Sequence, residues 1–156
     1  YQYFPNKRSL IVALWQNNAD TLKNKLIHAF ENSIGLPFRH AFKKTIEATC
    51  DAHLENPDAQ NILNELFINE IEQKTRDDME QKAQNKIHPY AIQFLSRYKS
   101  EFREGIVLEN AVTMIARVVQ AIVHDAMVSD NRLLGRTDFI DEQVLILTSY
   151  LTAKAD

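Results

Sequence analysis

The side chains of this sequence best suited to chemistry are five histidines, one cysteine and two adjacent aspartates. The histidines are His28, His40, His53, His88 and His124. No two carry the His-Glu-x-x-His spacing, or another close spacing, that would set two imidazoles together as metal ligands. Cys50 stands alone, so no intrachain disulfide can form, and this usage is compatible with a reducing cytoplasm. By itself Cys50 reads as a small buried apolar residue. Asp77-Asp78 lies in a charge-rich run and reads as a solvated face rather than a catalytic dyad. Gly-x-Ser-x-Gly, a phosphate loop and a dinucleotide glycine fingerprint are all missing from the sequence. These residues predict no enzyme, no metal and no cofactor. Arg117 is the unusual charge, because it falls on an otherwise apolar segment. It needs a carboxylate across a dimer, within the subunit or on a ligand, and a structural ion pair is the favoured reading.

The elements that would position these groups are helices. Gly35, Gly105, Gly135, Pro5, Pro37, Pro57 and Pro89 punctuate the chain into helix-length segments. Between them apolar residues recur at three and four, not two, and no strand alternation of useful length occurs. The fold class is all-α. The spacing predicts a first helix over about 7–32, with the stripe Ile11, Leu14, Trp15, Leu22, Leu26 and Phe30. A second runs from Pro37 to about Glu55, with Phe38, Phe42, Thr45, Thr49 and Ala52 on one face. Asn56-Pro57 starts a short third helix carrying Ile62, Leu63, Leu66 and Phe67. A long charged helical stretch follows over about 70–104, which Pro89 is expected to kink or split before the stripe Tyr90, Phe94, Tyr98, Phe102.

The segment 106–128 is apolar almost all round, with Asn110, Thr113, Arg117, Gln120 and His124 on one narrow line. Such a helix must be covered on at least two sides. One side can meet the chain's own core and the other a second copy. A last helix over about 137–152, capped by Thr137, would complete a hairpin, and two hairpins face to face make an intermolecular four-helix bundle. No apolar run approaches the roughly 20 residues that span a bilayer, and no membrane partner is expected.

At 156 residues, 45% hydrophobic and 25% charged, the chain fits one domain of ordinary globular composition. Its net charge of −3 is uneven: residues 1–44 carry +5 and the remainder −8. A basic leading end on an acidic body suits a protein whose front faces nucleic acid.

The first residues, Tyr1-Gln2-Tyr3-Phe4-Pro5-Asn6-Lys7, run straight into a helix for which Asn6 is the expected N-cap. This resembles the close of the helix-turn-helix in the tetracycline-repressor (TetR) family of bacterial transcription regulators. That unit ends in a pattern like Tyr-x-(Tyr/His)-Phe-x-x-Lys followed by a long connecting helix, and Tyr1, Tyr3, Phe4 and Lys7 fall on its positions. The tail around 106–151 also looks like the C-terminal end of many members. Residues 37–104 agree only in helix count and length.

The resemblance implies that residues 1–6 are the remnant of a DNA-binding domain, and that 7–156 form a helical ligand-binding and dimerisation domain. Its implied function is a cytoplasmic, homodimeric, ligand-responsive regulator, most often a repressor, released from operator DNA by a small-molecule effector. Tyr1, Tyr3 and Lys7 would touch DNA phosphates. The effector pocket would be lined by Phe38, Phe42, Thr45, Thr49, Tyr90, Phe94, Tyr98, Thr113 and Arg117. The dimer interface would comprise Val118, Ile122, His124, Met127, Phe139, Val144, Leu147 and Leu151. The recognition helix itself is not in this sequence, so base reading belongs to a longer protein. The alternative is a helical dimeric protein-interaction module without DNA binding.

Overall fold

The computed structural model describes residues 4–153, and among them the chain is all-helical, with no strand. Six α-helices follow one another: α1 (Lys7–Glu31), α2 (Phe38–Leu54), α3 (Pro57–Glu70), α4 (Gln73–Ser96), α5 (Leu108–Ser129) and α6 (Thr137–Thr152). Single 3-10 turns lie at Lys99–Glu101 and Asn131–Gly135.

Local chemistry sets most of the boundaries. Asn6 caps α1 in a reciprocal box: its side chain accepts from the Ser9 N–H at 2.9 Å, and the Ser9 hydroxyl receives the Asn6 N–H at 3.3 Å. Gly35, at φ 83°, turns the chain out of α1 through the left-handed region, and Pro37 precedes the first turn of α2. Asn56 caps α3, with Pro57 in its first turn. The expected cap of α6 is displaced by one position. Arg136 occupies it without a side-chain bond, and Thr137 is already helical.

Of the two effects expected of Pro89, a kink or a split, the split does not occur: α4 runs through it. Proline lacks the N–H that would bond the carbonyl of Asn85, but both residues face water, which can take over that carbonyl. The charged stretch is also shorter than predicted. A break at Ile71-Glu72 opens it and Ser96 closes it, so Phe102 lies beyond α4 in the connection to α5.

Two hydrophobic clusters form. The larger gathers α2, α5, α6, the end of α1 and the end of α4 around Phe42, Phe94, Val123, Leu134, Val144 and Leu151. The smaller holds Ile11, Leu63, Phe67, Ile71 and Met79, with Trp15 stacked on Phe67 at 4.9 Å. Helix α1 enters both: Ile11 and Trp15 sit in the small cluster, Leu26 and Phe30 in the large one. Polar bonds lock the far end of α1. The Tyr98 hydroxyl donates to the Ser33 and Leu36 carbonyls at 3.2 and 3.1 Å, and Arg97 donates to the Phe30 carbonyl at 2.9 Å.

Helices α5 and α6 form an antiparallel hairpin. The Arg103 N–H donates to the Leu151 carbonyl at 2.8 Å, which brings the end of α6 back beside the approach to α5. By length and composition α5 could cross a bilayer, with mean hydropathy 1.4 over its apolar window, which corrects the expectation that no such run exists. One face of it is nonetheless buried: Ala111, Val112, Val119, Val123, Ala126 and Met127 face the core.

Candidate functional site

Four of the aromatics assigned to an effector pocket do converge. Phe30 stacks on Phe94 at 4.9 Å, Phe94 meets Tyr98 at 5.6 Å, Tyr98 meets Phe38 at 5.2 Å, and Phe38 meets Phe42 at 5.7 Å. All four of Phe38, Phe42, Phe94 and Tyr98 are buried in the larger cluster. Thr45 and Thr49 are buried beside them, but each hydroxyl bonds a carbonyl of its own helix, at 2.7 and 2.9 Å. Tyr90, Thr113 and Arg117 lie elsewhere, exposed on the outside of α4 and α5. The nine residues therefore do not surround one cavity. Aromatic spacing marks a core and a pocket alike, and only tertiary packing separates them.

One recess among the described residues lies between α1 and α4. It holds about 130 Å³ and is lined by Trp15, Gln16, Ala19, Asp20 and Lys23 from α1 and by Met79, Lys82, Ala83 and Lys86 from α4. One oxygen of Asp20 accepts from both Lys23 (3.3 Å) and Lys86 (3.2 Å). The hydrogen bonds from Lys86 and then Lys23 hold the Asp20 carboxyl below its ordinary range. Lys82 makes no ion pair among the described residues. This cleft was missed because 72–86 looks polar on every face. The available signal was Trp15, Ala19 and Lys23 at spacing four on one helix, with Met79, Ala83 and Lys86 at four and three on the next.

The outer face of α5 is the second feature. Met114 is 51% exposed and Val128 73%, with Arg117, Ala121, His124 and Asp125 exposed between them. Arg117, Gln120, Ala121 and His124 border a shallow hollow over the small Ala121 side chain. Of the eight residues assigned to a dimer interface, Met127, Val144, Leu147 and Leu151 are consumed by the chain's own core. Val118, Ile122 and Phe139 are half-buried, and His124 is exposed. On α6 the outward apolar residues are Leu145 and Ile146. In so apolar a hairpin, hydrophobicity alone does not say which stripe turns inward.

Tyr1 and Tyr3, assigned to DNA phosphates, lie outside the described residues, as does the start of the segment 1–6. Lys7 is exposed, yet its ammonium meets the Glu70 carboxylate at 2.6 Å and ties α1 to α3. That hydrogen bond holds the Glu70 carboxyl below its usual value. Lys25 pairs with Glu55 at 2.5 Å and Lys43 with Asp141 at 2.7 Å, so much of the leading basic charge joins helices together. Among the described residues no group of histidines, cysteines and carboxylates has the geometry of a metal site. No family model matches this chain, and no curated protein and no solved structure matches it either.

Proposed function

We propose that the chain is the regulatory body of a homodimeric, TetR-like transcription regulator, most often a repressor, whose operator binding is relieved by a small-molecule effector. The observation that carries the dimer is the outward face of α5. Ala121 lies midway between Arg117 and Asp125, and also midway between Met114 and Val128. Two copies crossing antiparallel over Ala121 would oppose Arg117 to the partner subunit's Asp125, and Met114 to the partner subunit's Val128, each contact occurring twice. A two-fold interface requires this kind of self-complementarity, and the small residue at the centre permits close approach. It would also supply the carboxylate that Arg117 does not find among the described residues.

The regulatory half of the reading rests on α1. One 25-residue helix joins the leading segment to both hydrophobic clusters, so a change in its seating is transmitted from the body toward the N-terminus. An effector that binds two seatings of α1 unequally shifts their populations, and with them the spacing of two DNA-reading heads. The test uses the longer protein with its preceding residues. It is offered a random pool of DNA duplexes, and the retained sequences are read. The proposal expects a two-fold-related pair of half-sites about one DNA turn apart. Retention of no sequence by a dimeric protein would overturn it in favour of a helical interaction module.

A further inference from the structure

We infer that the cleft between α1 and α4 is a binding site for a small aromatic carboxylate. Its size sets the scale of the ligand. At about 130 Å³ it is close to the roughly 150 Å³ cavity that accommodates one benzene ring, and well below a drug-sized pocket. Its walls set the character of the ring site. Trp15, Ala19, Met79 and Ala83 offer an aromatic face, a thioether and two methyl groups, a surface that accepts a planar apolar body.

Its rim sets the charge. Lys23, Lys82 and Lys86 stand against a single carboxylate, Asp20, so the lining carries a net +2. Lys23 and Lys86 share one Asp20 oxygen, which leaves most of their six ammonium hydrogens free for another acceptor. The Lys23 side chain is only 25% exposed, so its stem is packed into the cleft and holds the ammonium at the rim, where an incoming anion meets it. A cation meets net repulsion, and a neutral ring leaves the excess positive charge unanswered.

A ligand seated here touches α1 and α4 at once, between the two hydrophobic clusters that α1 joins. As an effector site it rests on the regulator reading above; as a binding site it stands without it.

Trp15 is the only tryptophan, so fluorescence excited at the long-wavelength edge, where the five tyrosines do not absorb, reports on this cleft. The experiment titrates the chain with benzoate, and in parallel with the neutral isostere benzamide. The inference expects a saturable change with benzoate and at least tenfold weaker binding of benzamide. Lys82→Gln, at an exposed residue outside both clusters, should weaken benzoate about tenfold and leave benzamide unchanged. Equal binding of the two probes, an unaltered benzoate affinity in the variant, or no saturable change by about 10 mM would each overturn it. A dimer that binds no benzoate rejects the cleft and leaves the regulator reading standing. A monomer that binds benzoate keeps the cleft and removes the regulator.

Discussion

Gln143 is the least satisfied side chain of the core. It is 2% exposed, and among the described residues its amide nitrogen and oxygen have no well-formed hydrogen bond, the Cys50 thiol being their weak polar neighbour. An unpaired buried polar group costs about 1–3 kcal/mol. Gln143→Leu, close in volume, should therefore raise the unfolding free energy by about 1 kcal/mol in urea titration, without changing the denaturant slope. A loss of stability would mean that the amide is bonded after all. Beside it, the Cys50 thiol is fully buried and pushed up to about 11, chiefly by that burial. It should resist a thiol reagent at pH 8 in the folded chain and react promptly in denaturant. His53 provides a pH signal. Burial lowers its pKa below 6.5, against the opposing effect of its bond to the Thr49 carbonyl. The unfolded chain thus takes up the proton first. The His53 contribution to stability is complete above about pH 6.5 and is lost as pH falls from there through the lower folded value. His53→Phe should flatten that part of the stability profile.

At the scale of the element, α4 makes the sharpest prediction. Pro89 lies inside it, exposed and one hydrogen bond short. Pro89→Ala should restore the bond to the Asn85 carbonyl and stabilise the chain by about 2 kcal/mol, read as a higher urea midpoint. No gain would mean that α4 has adjusted its geometry around the ring. The helix ends were legible wherever a side chain marks them: Asn6, Asn56-Pro57, and Gly35 with Pro37 are read directly from residue type. Whether Pro89 kinks or splits its helix was not legible, because that depends on whether water reaches the freed carbonyl, which is a tertiary fact. Phe38, Phe42, Phe94 and Tyr98 were legible as residues of shared faces and are buried in one cluster, but periodicity places residues on a face and says nothing about the volume left between faces. The α1–α4 cleft depends on two segments some 60 residues apart in sequence, and nothing local pairs Asp20 with Lys86.

For the whole molecule, the decisive question is whether α5 is covered by a second copy. A face with Met114 and Val128 at its ends and opposite charges flanking a central alanine has the residue order that a two-fold pairing would use. The pairing proposed here makes a reciprocal demand on its charges. Arg117→Asp should weaken the dimer by about a hundredfold, because like charges then meet twice across the two-fold. Asp125→Arg should do the same, and the two together should recover most of the affinity. Sedimentation equilibrium of the unmodified chain at micromolar concentration, followed by these three variants, tests this most directly. The account predicts a dimer that each single change dissociates and the double change restores. A monomer at that concentration would contradict it.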